Sequence, residues 1–412
     1  MLLKRHSALL LFIAVVGLCG FGLVMLYSAS AFSRQAEMAG DPFHFLKTQA
    51  VCLGLGLLIC GALSFVDYRV WWRHIIWIAA CSLVLLALCY VPGVRHVANH
   101  EARWIKLGPF IGQPSELAKV ALLVFLAGWY DAMRLRRRTF VWELLLPGLA
   151  AALPIGLIVF EKDIGTALLL ALVTGVVMFA AGVPMRLLLV AMVLAGGGIG
   201  VVVAKYPEKA KRILVWLNKD DPEVKAARWQ QEQAKIALGS GGIEGVGFGD
   251  SRQKMLFLPE AHTDFIFGII GEELGLRATL TVVGFFVMFV VAGGFIASRA
   301  PDLNGALLGS GAVVMLGLQA FINIGVVTEL LPNKGISLPF MSAGGSGILA
   351  TLAMVGLLVS IAKRSEDVDE DEVEEEPRRA RARRSWFGGS PSPSLPGWLE
   401  EGHPARTRGG AL

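Results

Sequence analysis

Ten stretches of this chain are each long and apolar enough to cross about 30 Å of hydrocarbon as a helix rising 1.5 Å per residue. They fall near residues 8–28, 47–66, 74–92, 115–132, 142–160, 164–182, 184–204, 267–297, 303–327 and 342–362. In hydrocarbon every backbone N–H and C=O must be satisfied within the protein, so windows of this length can only be helical. Composition agrees, because only 17% of the 412 residues are charged, against about 25% in soluble domains. The charge is also segregated: 18 of the 71 charged side chains lie in the last 48 residues and 19 more between Lys205 and Asp264. A net charge of +5 on such a chain does not mark a nucleic-acid partner, since no basic soluble surface is left to carry it. The expected fold class is therefore an all-α polytopic membrane protein of about ten transmembrane helices.

The N-terminus carries Lys4, Arg5 and a small-residue segment Ser28-Ala29-Ser30-Ala31, like a secretory signal, but its apolar run is about 20 residues, too long for a signal h-region. It is read as an uncleaved first helix. Cys19, Cys52, Cys60, Cys81 and Cys89 all lie in apolar stretches without a C-x-x-C pair, and they read as small core hydrophobes. Lys and Arg in the short loops share one side: Lys4 and Arg5, Arg69 and Arg73, Arg134 to Arg138, Arg186, Arg299, and Lys363 with Arg364. The positive-inside rule then puts both termini in the cytoplasm. Two outward segments are longer than connectors need: Val94 to Pro114, and a loop of about 60 residues, 205–263, between helices 7 and 8. That loop holds Trp216, Trp229 and Phe257, an amphipathic helix at 228–238 and a glycine-rich turn from Gly239. Two domains are expected: a membrane domain, 1–364, and a cytoplasmic tail, 365–412. The tail runs from nine carboxylates in eleven residues into a basic block and then Pro, Ser and Gly, a composition that cannot bury a core and predicts disorder.

Ionisable residues near membrane depth are costly, so each needs a reason. Arg103-Trp104 precedes Gln113-Pro114-Ser115-Glu116 and Lys119; Pro114 suits the first helical position, and Glu116 and Lys119 could form a first-turn ion pair. Asp163, in the short hairpin Glu161-Lys162-Asp163, could cap the next helix, orient a cation, or both. Arg252 and Lys254 precede Glu260, His262 and Asp264, which together bring bases, carboxylates and a histidine to the rim of a helix. Asp264 could be an N-cap, and Glu273 and Arg277, four apart, should pair on that helix. Between the last two spans, Pro332, Lys334, Gly335 and Pro339, followed by Gly344-Gly345-Ser346, make an irregular backbone, tolerated at this depth only where it lines protein or a watery cavity.

Over residues 1–364 these motifs resemble the SEDS family (shape, elongation, division and sporulation). The likeness rests on Arg103-Trp104 with Gln113-Pro114-Ser115-Glu116, on Asp163-Ile164-Gly165-Thr166, on the run Pro259 to Phe267 and on Gly344-Gly345-Ser346. The stretches Ser251 to Lys254, Ile270 to Gly275 and Pro332 to Gly335 are more similar to its division branch than to its elongation branch. The chain departs from the pattern at Lys162, where proline is usual, at Glu329, where glycine is usual, and at Ala343, where tyrosine is usual.

The resemblance implies a multi-pass bacterial cytoplasmic-membrane enzyme, at the division septum, that polymerises lipid II into peptidoglycan on the outer face. It implies Asp264 as the catalytic residue, and as partners a class B penicillin-binding protein transpeptidase and other division proteins. Joining two lipid-linked disaccharides needs a base for the attacking hydroxyl and cations for the departing diphosphate. Asp264 would be the base, with Arg103, Arg252 and Lys334 the cations in that order. Glu260, His262, Asp163, Lys119 and Ser346 are the further candidates for holding substrate. No residue cluster specifies a metal or other cofactor, although a divalent cation could assist the diphosphate. The competing readings are a lipid II flippase, whose charges would track through the bundle, an elongation-type polymerase, and a scaffold that only recruits division partners.

Overall fold

The computed structural model describes residues 2–30, 41, 43–98, 101–107, 110–134, 139–205, 225–255 and 258–365. The expected disordered tail, the arginines at 136–138, Trp216 and Phe257 lie outside these residues. Among the described residues a helix falls in each of the ten apolar windows, and six of the ten are long and apolar enough to cross a membrane. The ten are α1 (Leu2–Ser30), α2 (His44–Phe65), α3 (Ile75–Leu88), α4 (Pro114–Met133), α5 (Leu146–Phe160), α6 (Ile164–Ala180), α7 (Met185–Lys205), α9 (Ile266–Ser298), α10 (Leu303–Val327) and α11 (Gly345–Ser365). Between α7 and α9 lies α8 (Lys225–Gly241), the amphipathic helix expected in the large loop.

Helix starts follow local chemistry. Pro114 occupies the first turn of α4, where its missing N–H costs nothing. The side chains of Asp163 and Asp302 cap α6 and α10, accepting from the backbone N–H of Thr166 and Gly305. The long helix α9 packs against α1, α8 and α10, and α10 packs in turn on α4 and α6. Small and apolar side chains fill these contacts; Phe289 of α9 meets the ring of Phe340 edge-on at 5.7 Å.

Two features depart from expectation. The segment after α3 forms a three-stranded antiparallel sheet, β1 (Arg95–Ala98), β2 (Glu101–Leu107) and β3 (Phe110–Gly112), in the order β1-β2-β3. Arg103 and Ile105, two apart on β2, fall on one face of it. The glycine-rich turn expected from Gly239 begins later, because α8 continues through Gly241. There the helix end lies so close to α9 that a Cβ on Gly241 would run into the Gly271 carbonyl. The facing part of α9 is itself broken at Gly275, whose φ of 72° is left-handed.

The basic loops gather at one end of the bundle. Arg69 pairs with Asp302 at 2.5 Å, and Arg364 lies 3.8 Å from Asp67. The sheet, the loop before α9 and the segment before α11 meet at the other end, where α4 begins.

Candidate active site

At that second end the elements enclose a cavity of about 630 Å³. Its walls come from β2 and the start of α4 (Arg103, Trp104, Gln113, Glu116, Lys119), from the turn before α9 (Glu260, His262, Thr263, Asp264) and from the segment leading into α11 (Asn333, Gly335, Ser346). Of the nine residues singled out from sequence, six line it: Arg103, Lys119, Glu260, His262, Asp264 and Ser346.

Asp264 does not cap α9. The cap position is Phe265, which makes no side-chain capping bond. Its carboxylate instead stands over Gly335, where an added Cβ would come 3.0 Å from Oδ2. The turn that carries it is tied on both sides. Thr263 Oγ1 donates to Glu260 Oε2 at 2.9 Å, and the Ser342 hydroxyl donates to the Thr263 carbonyl at 2.5 Å. The Ala343 N–H donates to the His262 carbonyl at 2.9 Å. His262 packs on Phe45 with ring centroids 4.4 Å apart, and burial pushes its imidazole below the ordinary histidine value, opposed by Glu260.

The opposite wall carries the cations. Arg103 Nη1 lies 3.6 Å from Asp163 Oδ2, and Nη2 donates to the Lys162 carbonyl at 3.3 Å. Asp163 sits behind Arg103 rather than in the cavity wall. Its cap to Thr166 and its pairing with Arg103 use the same carboxylate, so the two roles anticipated for it coexist. Lys119 is held more tightly, 2.7 Å from Glu116 and 3.2 Å from Gln319 Oε1, with both members of the ion pair buried.

Two expected cations are placed elsewhere. Arg252 is exposed and outside the cavity lining, and its backbone N–H donates to the buried Glu272 carboxylate at 3.0 Å. Lys334 also lies outside the lining, although its neighbours Asn333 and Gly335 contribute to it. The pairing expected between Glu273 and Arg277 does not form. The break at Gly275 takes them out of helical register, so Glu273 meets Lys254 at 2.8 Å and Arg277 meets Glu244 at 3.2 Å.

Departures from the family pattern have backbone consequences. Lys162 has φ 66° and Glu329 φ 60°. The first is closed to proline, whose ring fixes φ near −65°. The second is the left-handed region that glycine occupies without strain; Glu329 holds it while accepting from Lys235 of α8 at 3.1 Å. Four polar residues at the cavity were not singled out from sequence: Gln49, Gln319, Thr48 and Gln230. The first two sit inside apolar windows, where an uncharged amide stands out only as the rare polar side chain of a span. Among the described residues no group of three or more His, Cys, Asp or Glu is arranged to hold a metal ion.

Residues 9–367 match the family model described as cell cycle protein, FtsW/RodA/SpoVE. A relative from Geobacter metallireducens, named probable peptidoglycan glycosyltransferase FtsW, is 38% identical over 363 residues, covering 88% of this chain and 96% of its own. Stage V sporulation protein E of Bacillus subtilis is 36% identical, covering 88% and 98%. Among solved structures, one from work on the coordination of polymerization and crosslinking by a peptidoglycan synthase complex superposes with TM-score 0.69 at 30% identity, covering 86% of this chain and 97% of that one. The rod shape determining protein RodA of Thermus thermophilus gives 0.63 at 30% identity, covering 86% and 95%. The chain belongs to the FtsW/RodA/SpoVE family of cell cycle proteins.

Proposed function

We propose that this protein is a peptidoglycan glycosyltransferase that polymerises lipid II at the outer face of the cytoplasmic membrane, with Asp264 as general base, and that it serves septal wall synthesis. The observation that carries this reading is the placement of Asp264 in one cavity with Arg103 and Lys119, at the end of the bundle away from the basic loops. If the basic end is cytoplasmic, as the positive-inside rule requires, the cavity opens outward, where a substrate whose isoprenoid stays in the bilayer can present its disaccharide.

The chemistry follows from the walls. Asp264 accepts the proton of the attacking sugar hydroxyl, the new glycosidic C–O bond forms at the anomeric carbon, and the bond to the lipid diphosphate breaks. Arg103, with its carboxylate 3.6 Å away rather than in tight contact, is the better placed cation for the diphosphate. General-base assistance is worth about 10² to 10⁴ in rate. A class B penicillin-binding protein transpeptidase is the proposed partner, since polymerised strands need crosslinking where they are made; the likeness to a chain from a peptidoglycan synthase complex supports it. The relatives named FtsW support the division role over elongation.

The test is the purified full chain in liposomes with labelled lipid II, with and without a candidate transpeptidase. Glycan polymer supports the enzyme. Translocation of lipid II without polymer would favour a flippase, and neither activity would favour a scaffold.

A further inference from the structure

Helix α10 is apolar along most of its length, yet it buries two amide side chains one turn apart, Gln319 and Asn323, exposed by only 4% and 1%. Residues four apart share a helix face and stand about 6 Å apart along the axis. Neither amide serves α10 itself. Asn323 Nδ2 donates to the Asp264 carbonyl at 2.8 Å and to the Ile336 carbonyl at 2.7 Å. Gln319 Nε2 donates to the Ser337 carbonyl at 3.0 Å, while its Oε1 accepts from Lys119 Nζ at 3.2 Å.

The recipients share a feature. The turn before α9 and the segment 332–338 have no regular secondary structure to satisfy these carbonyls, and a buried carbonyl without a partner is costly. Both N–H bonds of Asn323 are committed, and they clamp together two segments that meet where Gly335 faces the Asp264 carboxylate. One turn away, Gln319 grips the same segment with its donor and the cation of the cavity with its acceptor. A single rigid helix thus holds the backbone under the carboxylate and the side chain of Lys119 at fixed stations.

We infer that Asn323 and Gln319 are positioning residues of the reaction: Asn323 fixes the Asp264 peptide against Ile336, Gln319 fixes Lys119 and Ser337, and α10 thereby sets the separation of base and cation. The inference rests on the reading of Asp264 as the general base. It concerns groups that need not touch substrate, and it predicts that their loss slows the chemical step more than it weakens binding.

The experiment uses the full chain reconstituted in liposomes with labelled lipid II, with rates expressed per folded protein. Asn323→Leu keeps the volume and removes both donors. It should lower kcat by about 10²-fold, as expected for a displacement near 1 Å, with KM changing less than about threefold, the split that separates placement from binding. Gln319→Met should lower kcat roughly tenfold, a smaller displacement of the same kind. Asp264→Glu, which moves the carboxylate by one methylene, supplies a cycle: if Asn323 acts through Asp264, its effect and that of Asp264→Glu will not multiply. Wild-type kcat in folded Asn323→Leu, or effects that multiply fully, overturns the proposal. If Asn323→Leu does not fold, Gln319→Met decides, and an unchanged kcat there overturns it. Asp264→Asn, run in parallel, separates the two failures. Normal polymerisation by Asp264→Asn sinks the base assignment and this inference with it, whereas inactive Asp264→Asn beside normal Asn323→Leu sinks the positioning role alone.

Discussion

The ammonium of Lys254 lies 2.8 Å from Glu273 Oε1, with both side chains fully buried, and the Ser28 hydroxyl of α1 donates to the same carboxylate at 2.6 Å. Lys254 also donates to the Gly249 carbonyl at 2.6 Å, so this pair fastens the loop after α8 to two membrane helices at once. Removing one partner leaves an uncompensated buried charge. Lys254→Met should therefore destabilise the protein by about 3–5 kcal/mol, while Lys254→Met with Glu273→Leu should recover much of that loss. Thermal unfolding in detergent, followed by aggregation-sensitive chromatography, measures both. Equal losses in the single and double variants would contradict a net buried pair.

Asp264→Asn preserves shape and removes the proton acceptor. It should fold and bind lipid II yet polymerise at least about 10²-fold more slowly. Because Phe265 rather than Asp264 holds the cap position of α9, neither Asp264→Asn nor Asp264→Ala should lose the stability expected of a missing cap. Gel-resolved glycan from purified variants, with contaminating transglycosylases blocked, reads the activity; near-normal polymer from Asp264→Asn ends the assignment.

Arg103 and Asp163 should separate binding from folding. Arg103→Gln should raise KM for lipid II by roughly tenfold, the order of a charge-assisted contact to phosphate. Arg103→Lys should restore little, because a single ammonium cannot reproduce the two-pronged reach to Asp163 and the Lys162 carbonyl. Asp163→Asn keeps the cap of α6, whereas Asp163→Ala should cost about 1 kcal/mol more. Steady-state kinetics and melting curves on the same preparations test the pattern, and a KM unmoved by Arg103→Gln would remove Arg103 from the substrate site.

Glu161 supplies a pH signature. Burial, then the neighbouring Asp163 carboxylate, push its carboxyl up to about 8, with Cys89 and Arg103 opposing. An acid raised on folding is favoured in its protonated form, so its contribution falls as pH rises from the ordinary value of 4.5 towards about 8 and is flat above that. Glu161→Gln should therefore stabilise the protein at pH 8, by an amount on the order of a few kcal/mol, and the gain should vanish near pH 4.5. Melting temperatures of the two proteins across that range check the sign; a gain independent of pH would refute it.

The ten helices, six of them long and apolar enough to cross a membrane, were legible because membrane crossing imposes a length and a polarity on each segment by itself, and no partner is needed to read them. The starts of α4 and α6 were legible for the same reason: Pro114 and Asp163 act within a single turn. So was the grouping of Glu260, His262 and Asp264, which one short turn carries into the cavity. Contacts between distant segments were not legible. Spacing suggested Glu273 with Arg277, but one left-handed glycine between them broke the register and left Lys254 and Ser28 as the partners. Arg252 looked like a site cation because it lies near Asp264 in sequence, yet it is exposed and outside the cavity lining, with its backbone N–H bonded to Glu272. Gln319 and Asn323 carry no charge and sit within an apolar window, so nothing local distinguished them from the span around them. Periodicity and capping depend on neighbours along the chain and are set by sequence alone, whereas the choice of partners for a buried amide or ion is made by packing, because only the folded bundle removes water and brings the matching group within hydrogen-bond reach.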